Sequence, residues 1–227
     1  MTEEINPKND KRFGNWQPRI FDHKEELMNS VEKEGSMHIG RDTDFPVTGA
    51  EIILTLMLAS MRGIPFFLEN QKNEVWRHEQ FQTLNRKRIG LIGNGGMHGR
   101  VKEVILTLYP FAEVYCFSQH GQNESFTMDK FDALLPKLDV VSIAVPNKED
   151  TVNLFNADRI KMLKDGALLV NISKGIVLDQ EELTKHLYDK RIFAAIDQTE
   201  PVVLPEGHPL WKAPNLIMTP HIGINVR

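Results

Sequence analysis

The sequence contains a single cysteine, no dense run of basic residues and no long apolar run. Cys116 lies in an apolar stretch, and this scarcity of cysteine favours a reduced, cytoplasmic protein without disulfides. The net charge of −4 gives no electrostatic support for binding to nucleic acid or to a membrane surface. No stretch of ~18 apolar residues predicts a membrane span. The polar N-terminus, MTEEINPKNDKR, has no apolar core that would indicate a signal peptide.

The composition is nevertheless that of a folded protein. A chain of 227 residues, of which 41% are hydrophobic, can form one large domain, or one domain with a small partner. The sequence shows no internal repeat and no low-complexity tract, and we expect no metal site. We expect an N-terminal segment at 1–45, partly flexible, followed by a dinucleotide-binding domain at 46–227.

One stretch, 88–100, organises the rest of the chain and reads RIGLIGNGGMHGR. A short buried strand ends at Ile92, a glycine-rich turn follows, and a helix opens at Met97. Such a turn points free N–H groups and the positive end of a helix toward an anion, usually a pyrophosphate. The alternative is a tight turn that binds nothing. The spacing is G-x-G-x-x-x-G, because His98 occupies the place of the third glycine, so the helix start could be displaced.

The residues before this turn predict three helices. A thin apolar pattern at 19–36 suggests a short amphipathic helix. Thr48 and Glu51 are spaced as a capping box, and the apolar run that follows predicts a buried helix through Met61, ended by Gly63 and Pro65. This helix belongs in the core or in a subunit interface. A second, more polar helix is expected at 66–85, carrying Trp76 and Phe81.

The residues after the turn alternate between short apolar runs and helical patterns. Strands are expected near Arg88 and at 113–117, 140–145, 167–172, 192–196 and 216–218, with helices at 97–108, 126–138, 156–163 and 179–187. Asn156 and the pair Asp179 and Glu182 supply helix caps. Continuous apolar strands indicate a parallel sheet covered on both faces, so the predicted fold is α/β, a doubly wound parallel sheet of the Rossmann type.

In this fold ligands bind beyond the carboxyl ends of the strands. Polar residues stand there, namely Ser118, Gln119, His120, Pro146 and Asn147, Ser173, Lys174, Asp197 and His221. Lys174 and His221 therefore share one edge, where a cation beside a histidine could hold a carboxylate and move a proton. The alternatives are a solvated surface lysine and a packed structural histidine.

At this point the chain resembles the nucleotide-binding domain of the D-isomer-specific 2-hydroxyacid dehydrogenases. The matching pieces are VTGAEIILTLMLA, the glycine turn, VVSIAVPN, ALLVNISKGIVLDQEEL, AAIDQTEP, GHPLW and TPHIG, in the family's order and spacing. The resemblance implies an NAD or NADP cofactor. It places that cofactor at Gly93, Asn94, Gly95, Gly96, Met97, His98, Gly99, Ser118, Val145, Pro146, Ile172 and Asp197. It also implies that Lys174 holds the substrate carboxylate and that His221 is the acid–base.

The chain departs from the family at these positions. Lys174 stands where the family has arginine. Lysine keeps the charge but lacks the bidentate fork of a guanidinium. Val202 stands where the family has the acidic partner of the histidine, and Glu200, two residues earlier, could replace it only if the loop shifts. Ser118 replaces the aspartate that binds the adenine ribose, and no lysine or arginine follows nearby, so NAD and NADP both remain open.

As the largest departure, we expect the family's substrate domain to be largely absent, since fewer than ~50 residues precede the recognisable helix. Two hypotheses follow. The first is an oxidoreductase that moves hydride between NAD(P) and a small 2-hydroxy or 2-oxo acid. The second is a non-catalytic remnant that acts as a nucleotide-binding or dimeric scaffold. We also expect a homodimer, formed with the help of the helix at 51–61.

Overall fold

The computed structural model describes residues 45–121 and 125–223, which lie in one unit of the chain. The helix expected at 19–36 and nearly all of the segment 1–45 lie outside these residues. Six parallel strands form one sheet: β1 (Arg88–Ile92), β2 (Glu113–Phe117), β3 (Val140–Ile143), β4 (Leu168–Asn171), β5 (Phe193–Ile196) and β6 (Leu216–Met218). Their order in space is β2-β1-β3-β4-β5-β6. The chain winds outward from β1 in both directions, which confirms the predicted doubly wound sheet.

Helices connect the strands and cover both faces. They are α1 (Phe45–Met61), α2 (Ile64–Lys72), α3 (Gly96–Leu108), α4 (Met128–Leu134), α5 (Ala157–Met162) and α6 (Gln180–Tyr188). Short 3₁₀ turns stand at Leu135–Lys137, Glu149–Thr151, Gly175–Val177 and Pro209–Lys212. None of the described helices is by itself long and apolar enough to cross a membrane.

The core consists of two clusters, one on each face of the sheet. Ile53 of α1 packs with Val170 of β4 in one cluster, to which α3 also contributes. Phe131 of α4 and Leu169 of β4 belong to the other, together with side chains of α5 and α6. Leu169 and Val170 are neighbours that point in opposite directions, and both are fully buried. A strand buried on both faces is apolar at nearly every position, which explains the apolar runs in the sequence.

The prediction that a capping box opens α1 was wrong. The helix already begins at Phe45, so Thr48 lies inside it. Pro46 suits this earlier start, because the first turn of a helix does not need the N–H that proline lacks. The prediction of burial is confirmed, since Ile53 and Met57 are fully buried and α1 packs against α3 and the strands β4 and β5.

The helix expected at 66–85 is much shorter. α2 ends at Lys72, where Asn73 donates a side-chain hydrogen bond of 2.9 Å to the Glu69 carbonyl and Glu74 takes a left-handed backbone with φ 56°. Trp76 and Phe81 therefore lie outside any helix. Trp76 is 97% exposed, so its indole does not pack in the core. Tertiary packing therefore provides no stabilisation for a helix extended to this residue.

Other local predictions fared better. Asn156 accepts a hydrogen bond from the Arg159 N–H, and Asp179 accepts one from the Glu182 N–H, so both predicted helix caps are confirmed. The helix expected at 126–138 is divided. α4 occupies its centre and a 3₁₀ turn containing Pro136 its end, while the Phe126 N–H bonds to the Cys116 carbonyl at 2.8 Å beside β2.

Candidate functional site

The glycine turn begins where β1 ends. Gly93 has φ 100°, a conformation that side chains rarely adopt. A Cβ at Gly93 would also lie 2.1 Å from the carbonyl oxygen of Ala144, in the loop after β3. Its N–H donates to the Phe117 carbonyl at 2.9 Å, which ties the turn to the end of β2. Position 93 therefore requires glycine, both for its backbone angle and for lack of space.

Gly95 occupies the N-cap position of α3, and the space in front of it is open. Its φ is −92° and its ψ 179°, and a Cβ there would meet no atom within 4 Å. The first N–H groups of a helix have no partner within that helix, and the helix dipole adds positive potential at the same end. The turn therefore leaves room for an anionic group to approach the backbone closely, and its residues fit a dinucleotide pyrophosphate.

Gly96 and Met97 face α1 instead. A Cβ on Gly96 would lie 3.0 Å from the Pro46 ring, and a Cβ on Gly49 would lie 2.1 Å from the Met97 sulfur. The Met97 side chain therefore packs against α1, and the contribution that Met97 can make to an anion is its backbone N–H. α3 begins at Gly96, one residue before the predicted start, so the irregular glycine spacing does not delay the helix.

His98 occupies the place of the third glycine, and its ring is fully buried. Its Nδ1 lies 2.7 Å from the Gly93 carbonyl oxygen, and its Nε2 lies 3.0 Å from the hydroxyl of Ser142 in β3. Burial lowers the pKa of His98 to about 4. Gly99 does not replace the missing glycine, because a Cβ there would meet no atom within 4 Å and no close contact with the sheet depends on it.

Ser118 follows β2 at the position that distinguishes the two dinucleotides in the resemblance. Its hydroxyl lies 2.6 Å from the hydroxyl of Ser125, and its N–H donates to the Phe126 carbonyl at 2.9 Å. A hydroxyl at this position carries no charge, so it does not repel a 2′-phosphate as an aspartate would. The geometry is compatible with either dinucleotide.

The loops after β3 and β4 are joined just beyond the sheet. The Val145 N–H donates to the Ser173 hydroxyl at 2.8 Å, and the Ile172 N–H donates to the Ile143 carbonyl at 3.1 Å. Val145 and Ile172 are half-buried at this edge, and Pro146 is exposed. These bonds hold apolar side chains beside the glycine turn, in the region where the resemblance expects the cofactor.

Lys174 stands at the same edge, after β4, and is exposed. Among residues 45–121 and 125–223 its ammonium group forms no ion pair. The next residue, Gly175, is buried, and a Cβ there would lie 2.2 Å from the backbone carbon of Thr199. The loops after β4 and β5 are therefore in contact directly behind Lys174.

Asp197 directly follows β5. Its buried carboxylate contacts the segment that carries His221. It accepts hydrogen bonds from the Thr219 hydroxyl at 2.6 Å, the Ile222 N–H at 2.9 Å and the Gly223 N–H at 2.9 Å. The His221 N–H donates to the Asp197 carbonyl at 2.7 Å, and His221 has φ 57°. Asp197 thus fixes the backbone on both sides of the half-buried His221.

The position expected to hold an acidic partner for His221 is occupied by half-buried Val202. Glu200 is exposed, and Gln180 bonds to its backbone twice, at 3.1 Å and 2.7 Å. The Thr199 hydroxyl donates to carbonyls of the same loop. The loop is therefore held in a form that leaves Glu200 at the surface rather than in the place of the missing acid.

Sequence reasoning missed Ser142 and the hydrogen bonds of Asp197. Ser142 was not singled out, although a lone serine inside the run VVSIAV signals a buried hydroxyl that must find a partner. The anchoring bonds of Asp197 to Thr219 and its neighbours were also missed, because they join residues more than 20 positions apart. Among the described residues no cluster of three or more His, Cys, Asp or Glu side chains could hold a metal ion.

Comparison with known proteins agrees with this geometry. Residues 54–223 match the family described as "D-isomer specific 2-hydroxyacid dehydrogenase, NAD binding domain". The chain is 36% identical over 188 residues to glyoxylate reductase of Thermofilum pendens, covering 77% of this chain and 55% of that protein. It is 32% identical over 184 residues to D-3-phosphoglycerate dehydrogenase of Haemophilus influenzae, covering 77% and 44%.

A solved structure shows the same fold. It is a D-isomer specific 2-hydroxyacid dehydrogenase from Xanthobacter autotrophicus in complex with NADPH and MES. Its TM-score to this chain is 0.70 at 28% sequence identity, covering 81% of this chain and 59% of that one. The chain spans between 36% and 64% of the length of the curated relatives compared with it.

Proposed function

The chain belongs to the D-isomer specific 2-hydroxyacid dehydrogenase family, as its motifs predicted, and from that premise we propose that it is an oxidoreductase. Its reaction transfers hydride between NAD(P) and a small 2-hydroxy or 2-oxo acid. The observation that carries the proposal is that Lys174 and His221 follow β4 and β6 at the edge of the sheet where the glycine turn follows β1.

The cofactor is NAD or NADP, and the glycine turn fits its pyrophosphate. When bound, the nicotinamide supplies or accepts the hydride. Gly93, Gly95 and the first turn of α3 form the anion site, and Ser118 is placed for the adenine ribose. Val145, Pro146 and Ile172 give the dinucleotide an apolar surface at the strand ends, and Asp197 lies toward the nicotinamide end.

Lys174 binds the substrate carboxylate in this proposal. Its ammonium group is an exposed point charge that attracts a carboxylate without the planar, two-point contact of a guanidinium. Lysine consequently fixes the plane of the substrate carboxylate less firmly than arginine would. We expect this to show as a high KM rather than as a loss of the reaction.

His221 moves the proton. In the reducing direction its imidazolium donates a proton to the carbonyl oxygen of the 2-oxo acid while the carbonyl carbon receives hydride, which leaves a neutral imidazole and a 2-hydroxy acid. In the oxidising direction the neutral imidazole takes the hydroxyl proton. Val202 cannot stabilise the imidazolium. The bonds between Asp197 and residues 219–223 hold the backbone that carries the ring.

The alternative, a nucleotide-binding scaffold without catalysis, has less support, because both functional side chains are retained at the correct edge. The experiment is to titrate the protein with NADH and NADPH, and then to follow oxidation of each over a panel of two- to four-carbon 2-oxo acids, beginning with glyoxylate. Turnover that falls on His221→Ala supports the proposal. Cofactor binding without turnover of any acid would favour the scaffold.

We infer further that the protein forms a homodimer. α1 is largely occupied within its own chain, so the expected interface moves to the next segment, where Ile64, Leu68, Val75 and Trp76 are exposed. A cavity of about 650 Å³ opens beside this surface, lined in part by Phe67 and Trp76. Apolar side chains in such density on a surface favour association, and a second copy presents the same surface in a two-fold contact.

Sedimentation tests the dimer. We expect a dimer at tens of micromolar, the range in which specific interfaces persist, and a monomer after Leu68→Glu. Leu108→Glu is the matched control, because Leu108 is an exposed leucine of α3 away from this surface. A monomeric wild type would contradict the inference.

We also propose a cytoplasmic location. The argument is that Cys116 is buried and free, and cell fractionation tests it.

A further inference from the structure

The third glycine of a dinucleotide fingerprint allows a helix and a strand to pack closely. In this chain that place belongs to His98, whose imidazole fills the space between α3 and the sheet. The His98 ring and Ser142 are both fully buried. At this position α3 contacts the sheet through a side chain with two hydrogen bonds, one to Ser142 of β3 and one to the glycine turn itself.

The two partners of the ring determine its tautomer. The Gly93 carbonyl can only accept a hydrogen bond, so the proton lies on Nδ1, which donates across 2.7 Å. A neutral imidazole carries one N–H, so Nε2 accepts from the Ser142 hydroxyl at 3.0 Å. Burial lowers the pKa of His98 to about 4, and the ring therefore stays neutral near pH 7. The serine hydroxyl and the glycine carbonyl select one of the two possible tautomers.

This bond determines the orientation of a peptide group in the turn. Gly93 has φ 100°, and its carbonyl accepts a hydrogen bond from the His98 ring. In a planar trans peptide the N–H points opposite to the C=O. The N–H of Asn94 therefore points away from His98, outward from the buried side of the turn. Without the ring, this peptide could rotate, since glycine has a wide range of allowed angles.

We propose that His98 is a positioning residue of the cofactor site, which as the Nδ1–H tautomer joins the Gly93 carbonyl to Ser142 and holds the turn ready for a pyrophosphate. The role rests on the proposed function, because it requires the dinucleotide to bind at this turn. His98 does not touch the dinucleotide through its ring. It acts through the backbone of Gly93 and Asn94.

Three variants separate the two bonds. His98→Ala loses both. His98→Asn retains a donor near the position of Nδ1 but is too short to reach Ser142. Ser142→Ala removes the second bond and leaves the first. The probes are NADH, ADP-ribose and adenosine, with dissociation constants measured by titration and folding followed by thermal unfolding. Adenosine lacks the pyrophosphate, so it reports the rest of the site.

We expect His98→Ala to weaken NADH and ADP-ribose binding by roughly five- to tenfold, the contribution of one net hydrogen bond, and to leave adenosine binding unchanged. His98→Asn should recover most of this loss. Wild-type ADP-ribose affinity in folded His98→Ala would overturn the proposal. An equal loss for adenosine, without recovery by asparagine, would also overturn it, because it would indicate a purely structural role.

A measurement on the unaltered protein covers the case in which His98→Ala does not fold. Nitrogen NMR of the imidazole distinguishes a protonated from an unprotonated ring nitrogen, and we expect the proton on Nδ1 in the wild type and in Ser142→Ala. A proton on Nε2 in the wild type would overturn the proposal. Failure of the wild type to bind either dinucleotide would contradict the proposed function as well, whereas wild-type affinity in folded His98→Ala would contradict only the role of His98.

Discussion

The carboxylate of Asp197 accepts a 2.6 Å hydrogen bond from the hydroxyl of Thr219, and this contact joins the end of β5 to the segment that carries His221. Two further bonds, from the N–H groups of Ile222 and Gly223, occupy the same carboxylate. In the resemblance the residue at Asp197 lies near the nicotinamide. Here it also fixes the backbone around His221, so one side chain links the proposed nicotinamide end of the site to the proposed proton donor.

Replacing Asp197 by asparagine should therefore disturb His221. Whichever way the amide turns, one of its groups becomes a donor that faces another donor, which costs about 1–3 kcal/mol in the free energy of unfolding. We expect turnover to fall more than NADH affinity, because the backbone at 219–223 loosens. Asp189→Asn, at an exposed position after α6, is the control. Unchanged turnover and stability in Asp197→Asn would show that the carboxylate does not hold this segment.

Gly95 allows a clean separation of binding from folding. Its backbone angles suit any residue, and a Cβ would meet nothing, so Gly95→Val should lower the free energy of unfolding only by about 0.5–1 kcal/mol, the cost of an apolar N-cap residue. The valine side chain would occupy the space that the pyrophosphate needs, and NADH affinity should fall by more than roughly tenfold. Ala157→Val, at the first residue of α5, is the matched control. Undiminished NADH binding in Gly95→Val would place the cofactor elsewhere.

The buried histidine predicts a dependence of stability on pH. The pKa of His98 is about 4 in the folded protein and near 6.5 in the unfolded chain. Between these values the unfolded state binds the proton and the folded state does not, so stability falls as the pH is lowered from 6.5 toward 4. From pH 7 to pH 5 the loss should be about 2 kcal/mol. Urea unfolding at both values should show a smaller loss in His98→Asn, and equal losses would refute this assignment.

We predict that Ser118 governs the choice between NAD and NADP. Its hydroxyl lies 2.6 Å from that of Ser125 and carries no charge. Ser118→Asp should lower NADPH affinity relative to NADH by roughly tenfold or more, since a carboxylate repels the 2′-phosphate and accepts hydrogen bonds from the ribose hydroxyls. Ser118→Ala removes the hydroxyl without adding charge and should leave the ratio near that of the wild type. A ratio unmoved by aspartate would mean that the ribose lies away from residue 118.

The fold could be predicted from sequence because its signals are local. Buried strands contain apolar runs such as Leu168–Val170 of β4, and the caps at Asn156 and Asp179 bond within three residues. The end of α2 could not be predicted in the same way. It depends on the left-handed backbone of Glu74 and on the exposure of Trp76, which does not pack in the core.

The candidate site also contains features that could be predicted from the sequence and features that could not. Lys174 and His221 could be placed at one edge because topology alone brings strand ends together. The partners of His98 could not be predicted, since Ser142 is 44 residues away and the pair meets only when α3 has packed on the sheet. Asp197 was predicted as a neighbour of the cofactor, but its bonds to residues 219–223 depend on how the chain turns after β6.

The chemistry is tested by restoring the two residues that the family normally carries. Lys174→Arg should lower the apparent KM for a 2-oxo acid, because the guanidinium binds the carboxylate at two points. Val202→Glu should raise turnover by stabilising the imidazolium of His221, provided that the loop brings residue 202 beside the ring. Lys190→Arg is the control, because this exposed lysine precedes β5 and so lies at the opposite edge of the sheet.

His221→Ala completes the test, since a positioned acid–base contributes about 10²–10⁴-fold to a rate. We expect NAD(P)H oxidation to be lowest in His221→Ala, intermediate in the wild type and highest in the variant with Lys174→Arg and Val202→Glu together. A wild-type rate that survives His221→Ala would reject His221 as the proton donor. No oxidation by the wild type or by the double variant, with cofactor bound to both, would reject the oxidoreductase for this chain acting alone, because restored side chains would then lack a complete site in which to act.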